Sequence, residues 1–371
     1  MINDKIKLLG LTLGDPFSET SRSGVNYNLF TRFDKKCDLI NVIDLDVKGL
    51  DKFWLALTSF YPNRRIWGNK LHQNPKAFDI RTNKAQYEIS RINSKIDLIF
   101  QDGAMFMPGT SNEIPYVTYN DSNVILSSRG GKYAHGMHYH GKKLKSTIEQ
   151  ERQVYKKASL IFTMSNWLKA SLQIDFGIAE EKIITVYAGT NLSITDHDKV
   201  YDGKTILFIG KNFERKGGRV LLDAFKYVRK EIKDARLIIV GSNIKISDEG
   251  VIVKGAITEK KEIEKYYMGA SVFALPSFFE PFGIVFAEAF AFKVPCIGTN
   301  VCAMPEIIED EKGGFIVEPN DSKALADKLI TILKDQNLAK NMGNYGYHKV
   351  VTTYNWDSVI DKIIKHSETI I

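Results

Sequence analysis

Residues 208–225 of this 371-residue chain have the sequence FIGKNFERKGGRVLLDAF. An apolar strand pattern is followed by a loop rich in glycine and positive charge, and then by a helical pattern that begins near Gly218. Lys211, Arg215 and Lys216 therefore stand where a strand gives way to a helix N-terminus, a place at which cations and backbone N–H groups together bind anions. The segment predicts an α/β fold with a phosphate site, although a solvated basic turn fits the loop alone equally well.

The same alternation of Val/Ile/Leu-rich runs and amphipathic stretches extends in both directions, which is typical of parallel strands covered by helices on both faces. For the first half we predict helices near 24–34, 49–60, 145–157 and 166–174, and strands at 6–13, 37–44, 97–102, 114–120, 160–165 and 183–188. For the second half we predict strands in TILFIG, RLIIVG, VIVKGA, VFALPS, VPCIGT and GFIVEP. A chain of 371 residues with 44% hydrophobic residues is too long for one ordinary core, so we expect two doubly wound Rossmann-like domains.

The boundary between the domains is expected in the polar stretch 190–204. Ligands of open α/β sheets bind beyond the carboxyl ends of the strands, so two such domains facing each other would hold a ligand in a central cleft.

Composition and charge bear on the cellular location of the protein and on its partners. The net charge is +7, and the excess lies in residues 1–200, which contain 27 Lys and Arg against 21 Asp and Glu. Basic clusters at 64–65 and 142–145 suggest attraction to an anionic membrane face or acceptor, or simply a soluble surface. The three cysteines are few and far apart, and the sequence contains no run of about 18 uncharged apolar residues. We expect a cytoplasmic protein with no nucleic-acid partner, and peripheral association with the cytoplasmic membrane face is the open alternative.

A second segment with chemical interest is EPFGIVFAE, residues 280–288, which has a carboxylate at each end of an apolar run. Pro281 suits the first position of a helix, which would place Glu280 just outside the helix and Glu288 about two turns inside it. A charged side chain in such apolar surroundings is costly unless it is paired or functional. The alternative for Glu288 is a buried acid that one internal lysine neutralises.

At these residues the chain resembles retaining glycosyltransferase family 4, the group 1 enzymes of the GT-B fold. Gly210-Lys211 with Lys216-Gly217 resembles the family's G-[RK]-x4-K-G loop, and Glu280 to Glu288 resembles its E-x7-E motif. VPCIGTNVCAMPEIIEDEKGGFIVEPND is similar to the strand, P-E-[IL]-[IV] turn and G-x-[IL]-V-x-P-x-[DN] run that follow in the family. The resemblance implies an N-terminal acceptor-binding domain over 1–195, a donor-binding domain over 196–353, and a last helix, 354–371, that returns to the first domain.

The resemblance also implies roles for individual residues. Lys211 and Lys216 would bind the donor diphosphate, Glu288 the ribose hydroxyls, and Glu280 the hydroxyls of the transferred sugar. The remaining donor-binding residues that it implies are Gly24, Gly210, Ala256, Ile257, Phe282, Gly283 and Ile284.

The first half departs from the family pattern at one point. Many members have a histidine at the end of the strand that here is IPYVTYND, whereas this chain has Asn120 and Asp121. These two residues, with His135 and His138, are candidates for the acceptor side. A metal site at the His135/His138/His140 cluster lacks a supporting carboxylate, and we expect no metal ion.

The implied reaction is transfer of a sugar from a UDP- or GDP-sugar to a hydroxyl acceptor with retention of configuration, in polysaccharide, lipopolysaccharide or glycolipid assembly. Breaking the bond between sugar and nucleotide leaves a diphosphate whose negative charge grows, and the lysines and a helix N-terminus would stabilise it without a metal ion or other cofactor. Alternatives on the same fold are a sugar-nucleotide epimerase or a phosphorylase. A non-catalytic nucleotide-sugar-binding protein is a third possibility, but it would be expected to lack some of these charged residues.

Overall fold

The computed structural model describes residues 5–19, 21–109, 114–134 and 140–371, except for the side chain of Arg65. The chain divides into two compact units: Met1–Tyr187 with Val359–Ile371, and Ala188–Ser358. We refer to them as unit 1 and unit 2.

Unit 1 contains a parallel sheet in which the described residues form six strands in the order β2-β1-β3-β4-β5-β6. The strands are β1 (Lys7–Thr12), β2 (Asp38–Asp44), β3 (Leu98–Asp102), β4 (Tyr116–Asn120), β5 (Leu160–Thr163) and β6 (Ile183–Thr185). The helices are α1 (Val25–Lys36), α2 (Gly49–Thr58), α3 (Arg64–His72), α4 (Pro75–Ser90), α5 (Val124–Arg129), α6 (Gly141–Lys157) and α7 (Asn166–Phe176). Short 3-10 turns occupy Ser21–Gly24, Gly131–Tyr133 and Glu180–Lys182.

Unit 2 contains a second parallel sheet, whose described strands have the order β12-β11-β10-β7-β8-β9. The strands are β7 (Thr205–Ile209), β8 (Arg236–Val240), β9 (Val251–Gly255), β10 (Val272–Ala274), β11 (Cys296–Thr299) and β12 (Gly314–Val317). The helices are α8 (Gly218–Glu231), α9 (Lys260–Gly269), α10 (Ile284–Ala291), α11 (Met304–Ile308), α12 (Ser322–Lys334) and α13 (Gln336–Thr352). The last helix, α14 (Trp356–Ser367), begins in unit 2 and ends in unit 1.

Both strand orders reverse direction next to the first strand of the unit. In unit 1 the reversal lies between β1 and β3, and in unit 2 it lies between β7 and β10. Ligands of doubly wound sheets bind at such switch points, just beyond the carboxyl ends of the two strands. The fold therefore points to the loops after β1, β3, β7 and β10. The prediction of two doubly wound α/β domains is confirmed.

Several predicted elements needed correction. The strand predicted at 183–188 stops at Thr185, because Tyr187 takes a left-handed backbone conformation with φ 65°. VFALPS and VPCIGT give strands only at Val272–Ala274 and Cys296–Thr299. Pro295 directly precedes the second strand and Pro276 lies two residues beyond the first, and neither proline can donate to the ladder. The helices α3, α4 and α5 were not predicted, because their apolar residues do not recur with a clear helical period.

Within the described residues, no helix combines the length and the apolar character that a membrane crossing requires. The three cysteines are free thiols, with Cys37 and Cys296 buried and Cys302 partly exposed.

Candidate active site

The loops after β7 and β10 pack against each other at the switch point of unit 2. Gly217 has φ +73°, and a Cβ atom there would lie 1.9 Å from the carbonyl oxygen of Pro276. The backbone N–H of Phe278 donates to the carbonyl of Arg215 at 2.9 Å. Glycine at 217 is therefore required twice, for its left-handed backbone and for the close approach of the two loops.

Lys216 and Glu280 form a largely buried ion pair where these loops meet. The Lys216 ammonium lies 2.8 Å from Glu280 Oε2, and the Arg215 guanidinium lies 3.3 Å from the same oxygen. A Cβ atom on Gly210 would lie 2.3 Å from Lys216 Cδ, so this glycine makes room for the lysine stem. Two cations thus share one carboxylate beyond the ends of β7 and β10.

Arg215 belongs to the basic loop predicted as an anion site, but the family resemblance implies no role for it. It was visible only as one of several charges in a basic loop, whereas the structure buries it and directs its guanidinium to Glu280 and to the carbonyl of Phe279. Lys211, by contrast, is exposed at the start of the loop. Of the two predicted lysines, Lys216 is therefore largely buried and ion-paired, whereas Lys211 is exposed.

The helix that follows Glu280 begins later than predicted. α10 starts at Ile284, with Gly283 as its N-cap at φ 81° and ψ 61°, so Pro281 is not the first helical residue. The left-handed conformation of Gly283 interrupts the helix geometry and leaves Pro281 and Phe282 in a turn. Consequently Glu288 is the fifth residue of α10, little more than one turn from its start rather than two.

This turn places Phe282, Gly283 and Ile284 directly after Glu280. Phe282 is buried, with its ring edge-on to Tyr354 at 6.2 Å between centroids. A Cβ atom on Gly283 would approach Glu280 Cγ to 3.1 Å. The positive end of the α10 dipole is therefore close in sequence and space to the Lys216–Glu280 pair, as an anion site requires.

Glu288 has hydroxyl and amide partners. Tyr267 Oη lies 3.2 Å from Glu288 Oε2 and 3.2 Å from the carbonyl oxygen of Val285, and the side chain of Asn191 also hydrogen-bonds the carboxyl group. Burial raises the pKa of Glu288 to about 7, and Tyr267, Lys216 and Asn191 oppose that rise. Near neutral pH the carboxyl group is therefore able both to accept and to donate a hydrogen bond.

Tyr267 and Asn191 were not predicted as site residues. Tyr267 belongs to α9, where its ring stacks on Phe292 with centroids 5.8 Å apart, and Asn191 Oδ1 accepts from the indole of Trp356 at 3.1 Å. Each is more than 20 residues from Glu288 along the chain, in an ordinary helix or loop context. No short-range pattern indicates them.

The raised pKa of Glu288 gives a prediction on stability. Because the native carboxyl holds its proton up to about pH 7 and the unfolded one only to about pH 4.5, its contribution is fully present in acid and is lost as pH rises through about 7. We expect the free energy of unfolding of wild type to fall by roughly 2 kcal/mol more than that of Glu288→Gln between about pH 5 and about pH 8. Urea denaturation at both pH values measures the difference.

Glu151 provides the matched control for this measurement. It lies on α6 in unit 1, and burial raises its pKa to about 7 as well. Glu151→Gln should therefore flatten the pH profile of unit 1 and leave the Glu288 contribution in place. Parallel pH profiles for wild type and Glu288→Gln would show that the assigned pKa is wrong.

The predicted base-binding residues follow β9. Ala256 and Ile257 come directly after Gly255, where the strand ends, with Ala256 exposed and Ile257 partly exposed. They lie at the carboxyl edge of the unit 2 sheet, where β9 is the neighbour of β8. Gly210 follows β7 at the same edge.

The switch point of unit 1 holds a buried polar cluster. Thr12 ends β1 and Asp102 ends β3, and the Thr12 hydroxyl donates to Asp102 Oδ2 at 3.3 Å. Arg22 forms an ion pair with Asp102 and lies 3.5 Å from Asp121. Burial raises the pKa of Asp102, and Arg22 opposes that rise. Arg22 and Asp102 were not predicted; the position of Asp102 at the end of a strand was the signal available.

The loop that presents Arg22 has an unusual backbone. Arg22, Ser23 and Gly24 have positive φ values of 44°, 56° and 83° in succession. For the two non-glycine residues this conformation costs about 1–2 kcal/mol each, so the surrounding contacts must hold it. Gly24 is buried and is the N-cap of α1.

Of the acceptor-side candidates, the structure places two and does not describe the other two. Asn120 ends β4, is buried, and donates to Thr118 Oγ1 at 3.0 Å. Asp121 follows it and is half exposed beside Arg22. His135 and His138 lie outside the described residues, while the neighbouring His140 is exposed at the start of α6.

Several known proteins are similar to this chain in sequence. Residues 192–349 match the family model described as glycosyl transferases group 1. An uncharacterized glycosyltransferase of Methanocaldococcus jannaschii is 26% identical over 280 residues, 68% of each chain. A phosphatidyl-myo-inositol mannosyltransferase of Mycobacterium leprae is 33% identical over 178 residues, 45% of this chain and 47% of the relative. The chain thus spans about half the length of several curated relatives that it matches.

Solved structures share the fold over nearly the whole chain. Sucrose-phosphate synthase from Thermosynechococcus elongatus has a TM-score of 0.72 at 17% identity and covers 98% of this chain and 99% of its own. Anabaena HepE in complex with UDP and glucose has a TM-score of 0.66 at 15% identity, with 98% and 100% covered. The chain has the α/β, two-domain Rossmann-like GT-B fold, and the matches support the group 1 GT-B class of glycosyltransferases.

Proposed function

We propose that the protein is a retaining, family 4 glycosyltransferase that moves a sugar from a UDP- or GDP-sugar to a hydroxyl group of a glycan or glycolipid acceptor. The proposal rests chiefly on one observation: Lys216 and Arg215 converge on Glu280 within 3.3 Å at the switch point of unit 2, next to the start of α10. Positive charge, a helix N-terminus and a carboxylate at one switch point are the groups that a nucleoside diphosphate sugar needs.

In this proposal the diphosphate binds to Lys216, Lys211 and the backbone N–H groups of Phe282, Gly283 and Ile284. As the bond between sugar and diphosphate breaks, negative charge grows on the leaving group, and preorganised cations stabilise that charge more in the transition state than in the ground state. Arg215 adds a second buried cation. Because the protein supplies this charge, we propose that no metal ion takes part in the step.

Glu280 has two tasks in this scheme. Before the donor binds, it holds the Lys216 ammonium at 2.8 Å, which fixes the lysine and lowers the cost of burying it. With the donor bound, it accepts hydrogen bonds from hydroxyls of the transferred sugar. Retention of configuration would follow from entry of the acceptor on the leaving-group face, and the anomeric coupling constants of the product measure it.

We assign the nucleoside to the carboxyl end of β9 and to α10. Glu288, whose pKa is raised to about 7 by burial, can exchange hydrogen bonds with the ribose hydroxyls, and Ala256 and Ile257 would contact the base. In unit 1 we assign the acceptor side to Asn120 and Asp121, with His135 and His138 in the same role, and we assign Gly24 to the donor. Relatives named as a capsular polysaccharide biosynthesis glycosyltransferase and as a phosphatidyl-myo-inositol mannosyltransferase support a place in polysaccharide or glycolipid assembly. We further propose that the protein acts in the cytoplasm.

The donor assignment is tested by thermal denaturation with a panel of UDP-, GDP-, ADP- and CMP-sugars. A ligand that binds only the folded state stabilises it by about 3 kcal/mol at 100 times its dissociation constant, so one UDP- or GDP-sugar should raise the melting temperature clearly. The matching free monosaccharides are the control and should have little effect. A panel in which no nucleotide sugar shifts the transition would contradict the donor site.

A further inference from the structure

Helix α2 in unit 1 exposes a row of apolar side chains. Leu50, Phe53, Trp54 and Leu57 recur at the i, i+3, i+4, i+7 spacing that places side chains on one face of a helix. Two more aromatic residues follow the helix, so that the surface, which we call the α2 face, consists of Leu50, Phe53, Trp54, Leu57, Phe60 and Tyr61. Their relative exposures range from 39% to 79%. Single exposed apolar residues are ordinary, but six together mark an interaction site.

The opposite side of the helix is firmly attached to unit 1. Leu55 is buried in a small core with Val47 and Ala77. The indole N–H of Trp67 donates to the carbonyl of Ala56 at 2.8 Å, which ties α2 to α3. The α2 face is therefore held outward by packed structure and does not arise from a loose segment.

The charge around the α2 face is positive. Residues 48–76 contain six Lys and Arg and one acidic residue, Asp51, and one of the six, Lys48, is paired with Asp44 at 2.7 Å. Lys52 and Arg64 are exposed, and the Lys70 ammonium lies over the ring of Tyr61, 4.6 Å from its centroid. A wide apolar face with tryptophan and tyrosine and a basic surround matches the boundary of an anionic lipid bilayer. A protein partner would have to present an apolar surface surrounded by acidic residues, and the vesicle test below separates it from a membrane.

We propose that the α2 face docks on an anionic phospholipid membrane, with α2 lying along the interface. A ten-residue helix is about 15 Å long, too short to cross a bilayer, and when it lies along the interface Phe53, Trp54 and Leu57 enter the boundary between headgroups and acyl chains. Lys52 and Arg64 then contact lipid phosphates. The inference goes beyond the proposed transfer reaction, because it rests on unit 1 alone and needs no donor.

The test is co-sedimentation of the full chain with vesicles. Wild type should bind phosphatidylcholine vesicles that contain phosphatidylglycerol, and should bind pure phosphatidylcholine far less. A double variant, Phe53→Ser with Trp54→Ser, should lower the partition coefficient at least about tenfold, because two large side chains no longer enter the interface. The matched control is Ile174→Ser on α7, since Ile174 is 82% exposed in the same unit and lies outside the α2 face.

Tryptophan fluorescence locates the contact. The emission of wild type should shift to shorter wavelength with phosphatidylglycerol vesicles, and Trp54→Phe should lose that shift while it still sediments with them. Because the replaced side chains are exposed, the variants should unfold at the wild-type temperature and keep their response to nucleotide sugars. Failure of the membrane proposal is therefore distinguishable from failure of the donor site.

Two results would overturn the proposal. One is equal vesicle binding by wild type and the Phe53→Ser, Trp54→Ser variant, or no binding by either. The other is a wild type that sediments as a dimer without binding vesicles and becomes monomeric in the double variant, which would make the α2 face an interface between two copies of the chain.

Discussion

Replacement of Lys216 by methionine is expected to weaken UDP binding by about 10- to 100-fold and to slow sugar transfer by about 100- to 1000-fold. Methionine keeps the unbranched stem that packs on Gly210 and removes only the ammonium group. Arg215 remains 3.3 Å from Glu280, so the carboxylate keeps a buried partner and the fold is expected to persist. The loss in transfer exceeds the loss in binding because the leaving group carries more charge in the transition state.

Calorimetric titration with UDP and initial transfer rates measure the two effects. Lys340→Met is the control, because Lys340 is an exposed lysine on α13 of the same unit. A Lys216→Met protein with wild-type affinity and rate would remove Lys216 from the donor site. A loss of the same size in Lys340→Met would show that general charge, and not the Lys216 position, attracts the nucleotide.

Gly217→Ala is expected to lower the free energy of unfolding by about 3 kcal/mol and to abolish UDP binding. A left-handed alanine costs about 1–2 kcal/mol, and the new methyl group would lie 1.9 Å from the carbonyl of Pro276, which forces the two loops apart. Total stabilities of single domains are about 5–15 kcal/mol, so the loss is large. Urea denaturation followed by tryptophan fluorescence measures it.

Two other glycines separate the contributions to this loss. Gly177 ends α7 at φ +66° with open space around it, so Gly177→Ala should cost only the left-handed strain, about 1 kcal/mol. Gly68 lies in α3 with open space around it, so Gly68→Ala is expected to raise the free energy of unfolding slightly. If Gly217→Ala cost no more than Gly177→Ala, the close packing of the two loops would be contradicted.

The sequence was sufficient for the fold and for the position of the basic loop between β7 and α8. Strand patterns such as TILFI and RLIIV are buried parallel strands, and the glycine-rich loop after the first of them leads into a helix that begins at Gly218 as predicted. This succeeded because strand periodicity, glycine and charge are local signals that one chain segment contains in full.

What could not be predicted depends on contacts between distant segments. The pairing of Arg215 and Lys216 with Glu280 joins residues more than 60 positions apart, and the pair of Arg22 with Asp102 spans 80. The start of α10 was misplaced because proline at a first helical position is common, while the left-handed Gly283 overrides it here. The exposure of the α2 face was not predicted, because an apolar helical period ordinarily indicates a core face.

We propose that unit 2 activates a nucleoside diphosphate sugar for transfer. This claim is tested by incubating wild type and Lys216→Met with the nucleotide sugar that stabilises the protein and a glycolipid acceptor, with and without excess chelator, and measuring release of the nucleoside diphosphate. We expect acceptor-dependent release by wild type that the chelator does not change, and release by Lys216→Met that is slower by at least about 100-fold. Recovery of the nucleotide sugar intact or epimerised, or equal release by both proteins, would contradict the claim.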